Sequence, residues 1–429
     1  MRRVIAAAAA VALAGTLVGA ASASPTPPVP EDPTDPVRAG EYWLDQYGIR
    51  QAWETTRGAG VKIAVIDTGI GRTPPEFAGV VGGTDVSDLG SADGRTPVGG
   101  RESDHGSWVA SLAAARGDAD GRGMVGVAPE AELLSVSIDI EGSVVPVSDQ
   151  IAEGIRWAVD NGAKVINMSL TTNTLEWDRS WDDAFEYAFE KDVVIVVAAG
   201  NRASGTTRVG APATIPGVLT VGGVDPSGVA SVDASTQGIT IGVSAPSEQL
   251  IGVSADGSLV SWQGTSGAAP IVAGIAALVR AAHPELDANN VLNRLISTAK
   301  PPAGATSRPD VLYGYGLVDA AAAVTAQVPS VNANPMGDLA EWIRLYRRAD
   351  SEPAPQPTSG PVDVAPLPAV DAPSAAGSPL LPSADTLRYG TLPLTALTVA
   401  AIMVLLGLTA AARRIRSARE SRSSSSPHT

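Results

Sequence analysis

The sequence predicts an α/β fold: a doubly wound, mostly parallel sheet flanked by helices. Three observations carry this. Short β-branched runs such as Val61–Ile66, Leu133–Ile138, Val165–Leu170 and Val193–Ala198 are predominantly apolar, the pattern of strands covered on both faces. Segments with helical spacing alternate with them, as crossover connections require. The composition is rich in Ala, Gly and Val with only 17% charged residues, which leaves ample apolar surface for a full core.

The chain begins with Met1-Arg2-Arg3, an apolar run from Val4 to Val18 and Ala21-Ser22-Ala23. A positive start, a short apolar stretch and a small-x-small ending make 1–23 a secretory signal peptide. A short lead, 24–57, follows. It is too short for an independently folded inhibitory propeptide, and Trp43, Leu44, Ile49 and Trp53 are expected to pin it against the main domain.

The main domain spans 58–328. Strand Val61–Ile66 ends in Asp67-Thr68-Gly69, which places a carboxylate at the carboxyl end of a parallel strand, where such sheets hold their ligands. By itself, a turn-forming Asp before Gly is an equally good reading. Arg72 to Ser103, rich in Gly, Asp and Pro, reads as loop. Asp104 is then the expected N-cap of an Ala-rich helix with His105 in its first turn. The helix dipole there disfavours the imidazolium, so His105 is suited to act as a neutral base given a partner carboxylate. A surface or capping histidine is the plainer alternative.

Further on, Val147–Asn161 and Trp181–Glu190 have helical spacing, and Val193–Ala198 is a buried strand running into Ala199-Gly200-Asn201. Asn201 presents a side-chain amide at the sheet edge, although an asparagine in a left-handed turn explains it equally simply. Val218–Val224 and Ile239–Ala245 are two more strands. Gly264-Thr265-Ser266-Gly267 then leads into the apolar run from Ile271 to Val279, a helix that carries Ser266 at its positive end. Unpaired N–H groups there can hold an oxyanion, and glycine on both sides admits a substrate backbone. An ordinary N-cap serine would look the same in isolation. Asn289–Ser297 and Ala320–Val328 complete the helices.

The residues 329–390 read as a Pro/Ala-rich stalk, densest in proline from Pro353 to Pro382. Leu392 to Ala412 carries no charge, and Arg413, Arg414, Arg416, Arg419 and Arg422 follow. About 20 apolar residues suffice to cross a bilayer, and the basic flank sets the orientation. The expectation is a transmembrane helix at 391–412, a cytoplasmic tail at 413–429 and a domain held outside the cell membrane.

Composition also excludes. The net charge of −15 repels phosphate and argues against a nucleic-acid partner. With no cysteine, the chain has no disulfides and no thiolate chemistry. Of three histidines, His428 lies in a serine-rich tail and His283 precedes a proline at a helix end, which leaves His105 for catalysis. No metal or other cofactor is expected: the scattered Asp residues match no calcium-ligand spacing.

A serine hydroxyl needs a base, the base an orienting anion, and the tetrahedral oxyanion needs donors. Asp67, His105, Asn201 and Ser266 each fall at a strand end or helix start, positions an α/β sheet gathers along one edge. In this order, the segments Ala64–Gly69, His105–Ala110, Ala198–Asn201 and Gly264–Pro270 closely resemble the subtilisin-like serine proteases. The resemblance runs from about Tyr42 to Val324 and implies a seven-stranded, mainly parallel sheet. It also implies Ser266 as nucleophile, His105 as general base, Asp67 as its orienter, and Asn201 with the Ser266 N–H as oxyanion hole. Substrate would pair as a strand with Ser169-Leu170-Thr171, alongside Gly200. Thr171 stands where the family commonly has glycine, so a narrowed or altered subsite is expected, and Ser107 stands where threonine is usual.

Signal peptide, short lead, stalk, single C-terminal span and basic tail are similar to the layout of the mycosins, membrane-anchored proteases of type VII secretion systems. This implies protein or peptide substrates and a secretion-complex partner. A chiefly structural role in such a complex is the alternative. Mycosins often carry disulfides; this chain carries none.

Overall fold

The strand Lys62–Asp67 (β1) has both faces apolar, with Ile63 to Ile66 fully buried, so it must lie inside a sheet covered on two sides. The computed structural model describes residues 34–140, 142–302, 307–347 and 387–423. It surrounds β1 with Val80–Asp85 (β2), Glu132–Ser137 (β3), Val165–Met168 (β4), Val194–Ala198 (β5), Leu219–Val224 (β6) and Ile241–Pro246 (β7). Their order is β2-β3-β1-β4-β5-β6-β7, and every pair is parallel. This is the doubly wound sheet that the sequence predicts. Strands β2 and β3 lie to one side of β1 and β4 to β7 to the other, so the winding reverses between β1 and β4. A reversal of that kind opens a crevice beyond the carboxyl ends of the two strands.

Helices His105–Ala114 (α4) and Thr265–Ala282 (α7) share one apolar core with one face of the sheet. Helices Val147–Asp160 (α5) and Ser180–Glu190 (α6) cover the other. From Thr265 to Arg280, α7 is buried at every residue except Ser266. Its long run of small apolar side chains is therefore spent on the core. Ala288–Thr298 (α8) and Ala320–Thr325 (α9) pack beside it.

The lead forms three short helices, Pro36–Gly40 (α1), Trp43–Gln46 (α2) and Ile49–Ala52 (α3). Trp43, Leu44 and Ile49 are fully buried in the α7 core, and Trp53 Nε1 donates to the Val127 carbonyl at 2.8 Å. The Asp35 and Glu41 carboxylates accept from the Gly123 and Val125 N–H groups at 2.6 and 2.7 Å. The lead is thus pinned to the loop after α4, as its aromatic and aliphatic residues suggest.

Three expectations change. Strand β2 lies inside the stretch read as loop: Gly82 and Gly83 mask the β pattern, and the strand is a half-buried edge with a register shift. A hairpin of Leu250–Val253 (β8) and Leu259–Trp262 (β9) precedes α7, and its short strands give no periodic signal. The boundary of the stalk at 329 is too early, because Leu339–Tyr346 (α10) belongs to the folded domain. Leu339 is buried, Trp342 stacks on Trp177 at 4.4 Å, and Arg347 pairs with Asp182 at 2.8 Å. An amphipathic turn at that point outweighs the polar composition around it.

The chain divides after Glu352 into two units. In the second, Leu392–Ser423 (α11) is a single helix; within Leu387–Ser417 an 18-residue window reaches mean hydropathy 2.2, so this stretch is long and apolar enough to cross a membrane. The expected signal peptide and the proline-dense part of the expected stalk lie outside the described residues.

Because the lead shares the core of the domain, Leu44→Ala should destabilise it by about 2–5 kcal/mol, the cost of a buried cavity. Thermal unfolding should show a lowered Tm, whereas Val144→Ala, at a side chain 98% exposed, should leave Tm in place.

Candidate active site

Asp67 is the last residue of β1, with its carboxylate nearly fully buried at the crevice. Its Oδ1 accepts from the Thr68 N–H at 2.8 Å and meets His105 Nδ1 at 2.8 Å. That contact fixes the imidazole orientation and leaves Nε2 turned toward the cleft. Thr68 also joins the two elements: its hydroxyl accepts from the Gly106 N–H at 2.8 Å and donates to the Ser103 carbonyl at 2.7 Å. The first turn of α4 is therefore capped from the end of β1. Asp104, the expected N-cap, has helical backbone and turns its carboxylate to the Ala255 N–H at 3.2 Å. Trp108 and Trp262 border the imidazole at ring separations of 6.3 and 5.8 Å.

Burial pushes the His105 imidazole toward its neutral form. The Asp67 charge and hydrogen bond, helped by Glu102, outweigh this and raise its pKa above the ordinary histidine value. Such a shift stabilises the fold at pH below the ordinary histidine pKa, and that contribution is lost as pH rises through the raised one.

Ser266 enters from the other side of the crevice, in the first turn of α7. Gly264 turns the chain there at φ 146°, and a Cβ at this position would stand 2.9 Å from Asn201 Nδ2. Glycine is required for the asparagine to come so close. Asn201 Oδ1 accepts from the Thr265 N–H and hydroxyl at 2.7 and 2.9 Å, which directs its amide nitrogen away from Thr265. The Thr265 hydroxyl accepts in turn from the Gly200 N–H at 2.9 Å. Ser169 is tied to the Ser266 turn twice: its Oγ donates to the Ser266 carbonyl at 2.8 Å, and its carbonyl accepts from Ser266 Oγ at 3.2 Å. The serine hydroxyl is thus parked on the Ser169 carbonyl.

One cleft of about 630 Å³ contains all eight residues singled out in the sequence: Asp67, His105, Ser169, Leu170, Thr171, Gly200, Asn201 and Ser266. Gly99 and Glu102 line it too, so the end of the 72–103 segment forms a wall of the cleft. His283, set aside on sequence grounds, bonds the Val324 carbonyl, and His428 lies outside the described residues. Sequence reasoning missed Thr68 and Thr265, although each adjoins a nominated residue. It also missed Trp262 and Thr206, which only the hairpin and a loop bring to the cleft. Among the described residues, no group of three or more His, Asp or Glu is placed to hold a metal ion.

Residues 58–316 match the subtilase family, and the chain belongs to that family of serine proteases. Among individual proteins it is similar to Mycosin-4 of Mycobacterium tuberculosis, 34% identical over 349 residues that cover 71% of this chain and 74% of the relative. Two solved structures share the fold. One is the MycP3 protease from the type VII (ESX-3) secretion system, at TM-score 0.57 and 34% identity, covering 67% of this chain and 88% of that one. The other is MycP1 from Mycobacterium smegmatis, at TM-score 0.59 and 29% identity, covering 72% and 89%. The family and fold expected from the sequence are those found.

The Asp67 carboxylate is what raises the His105 pKa, so Asp67→Asn should lower it. Histidine-selective ¹⁵N spectra across a pH titration check this, and an unmoved His105 resonance midpoint would rule the coupling out.

Proposed function

We propose that the chain is an endopeptidase in which Ser266 is the nucleophile, His105 the general base, and Asp67 its orienting anion. The observation that carries this is the 2.8 Å Asp67–His105 contact in the same cleft as Ser266 and the Asn201 amide. Substrate entry draws the Ser266 hydroxyl from the Ser169 carbonyl to His105 Nε2, at the cost of one long hydrogen bond. As Oγ attacks the scissile carbonyl carbon, its proton passes to Nε2 and the carbonyl π pair moves onto oxygen. That oxyanion is held by Asn201 Nδ2 and the Ser266 N–H. The imidazolium, stabilised by the Asp67 carboxylate, gives its proton to the leaving amine. Water activated by His105 then hydrolyses the acyl-enzyme. Ser169-Leu170-Thr171 pairs with the substrate backbone as a strand, with Gly200 on the facing side.

The apolar helix followed by arginines supports a single-pass anchor with the protease domain outside the cell membrane and the basic tail in the cytoplasm. A signal peptide at 1–23 and a proline-rich stalk fit that topology. The substrates are then exported proteins. Likeness to mycosins, one of them a protease from a type VII system, supports membership of a type VII secretion complex. The candidate span also favours a second reading, in which the chain chiefly stabilises that complex and catalysis is secondary.

The first test is fluorophosphonate labelling of the full-length chain in membranes. Wild type should label, and Ser266→Ala and His105→Ala should not; an unlabelled wild type, or a labelled Ser266→Ala, counts against the nucleophile assignment. Export that survives Ser266→Ala but not deletion of the chain would select the structural reading. Asn201→Ala should reduce kcat about 10²–10³-fold with little change in KM, the magnitude known for loss of such a donor in a subtilisin. Peptide hydrolysis kinetics measure it.

A further inference from the structure

Beside Ser266 the cleft is lined by Thr171 on one segment and by Gly200–Asn201 on another, which border a slot. Both Thr171 and Thr206 fill it from the same side. A methyl group built on Gly200 would lie 2.5 Å from Thr206 Cγ2 and 2.8 Å from Thr171 Cγ2, so the two threonine methyls already sit over the Gly200 backbone.

Thr171 is held through its hydroxyl, and Thr206 through its burial and its backbone. The Thr171 hydroxyl donates to the Thr172 and Gly210 carbonyls at 3.3 and 3.4 Å, across the base of the slot. Thr206 is only 8% exposed; its N–H donates to the Asn201 carbonyl at 3.0 Å, and its carbonyl accepts from the Thr236 hydroxyl at 3.1 Å. β-Branching limits each to few rotamers. Among the described residues, no Lys, Arg, Asp or Glu lines this part of the cleft, and the cleft's carboxylates, Asp67 and Glu102, stand on the His105 side.

In the mechanism proposed above, the scissile carbonyl carbon lies at Ser266 Oγ and its oxygen at Asn201 Nδ2. The side chain of the residue that donates that carbonyl must then project beside Gly200, into the slot. We propose that Thr171 and Thr206 make this a protease that cuts after small, uncharged residues: glycine, alanine or serine. Leucine, phenylalanine and tyrosine would have to displace the half-buried Thr171, whose hydroxyl is hydrogen-bonded, and the buried Thr206. The larger apolar surface of Ile138, Ile140 and Leu170 lies elsewhere in the cleft and suits bulkier side chains further along the substrate.

The proposal rests on the nucleophile assignment, and the test separates the two. Full-length protein in membranes is treated with α-aminoalkyl diphenyl phosphonates carrying the Ala, Leu or Phe side chain, which phosphonylate the serine and place that side chain in the slot. Wild type should react with the Ala probe at least ~10-fold faster than with the Leu or Phe probe, the discrimination that a misfit of this size supports. Thr171→Gly, and separately Thr206→Ser, should move the Leu-to-Ala rate ratio toward Leu by ~10-fold or more. Thr206→Ser keeps the hydroxyl, so its fold is least disturbed.

A wild-type rate for Leu or Phe equal to or above that for Ala overturns the proposal, as does a ratio unmoved by both substitutions. Absence of labelling by a plain fluorophosphonate instead removes the nucleophile assignment itself, and this proposal with it.

Discussion

Burial of α7 is the constraint on which the rest of the structure depends. A helix apolar on every side must be enclosed on every side, and here one face of the sheet, α4 and the lead together enclose it. Its amino end cannot be enclosed as well, since the first-turn N–H groups need partners. That end therefore opens on the crevice left by the strand reversal between β1 and β4, and Ser266 is the residue it exposes. A side chain at the mouth of a rigid core helix has little freedom of position, which is what the proposed attack of Ser266 on a bound carbonyl requires.

Around this anchor, two threonine hydroxyls hold the remaining groups in register. Thr68 links the end of β1 to the start of α4 and so sets Asp67 against His105. Thr265 links Gly200 and Asn201 to the Ser266 turn. Each bond is worth only about 1 kcal/mol of net stability. Their larger effect is to fix polar groups before substrate arrives, so that little reorganisation is left for the reaction itself. The two threonines at the slot act differently: their methyls occupy space, and they discriminate by exclusion.

The lead and the C-terminal helix show how apolar segments of one chain serve separate ends. Trp43, Leu44 and Ile49 are buried in the domain core, and among the described residues none of the lead lines the cleft. It braces the loop after α4 without any disulfide, through side-chain burial and the Asp35 and Glu41 carboxylates on backbone N–H groups. The helix α11, by contrast, keeps its apolar side chains exposed in its own unit, as a segment bound for lipid would.

Much of this was legible in the sequence because buried parallel strands and a core helix write apolar runs that depend only on local burial. Six of the seven strands, the main helices, and Asp67, His105, Asn201 and Ser266 at strand ends and helix starts could be read that way, and short motifs added the family. Strand β2 could not, since its glycines are chosen for an edge and carry no period. Nor could α10, whose packing on Trp177 is made by a partner distant in the chain. Thr171 could be marked as unusual from sequence, but that Thr206 meets it over Gly200 was decided only by the folded loop 201–210. The sequence by itself determined most of the elements, the family and the candidate residues for the chemistry. Tertiary structure alone decided how wide the slot is and where the serine hydroxyl rests. Those depend on distances between segments far apart in the chain, and no local pattern encodes them.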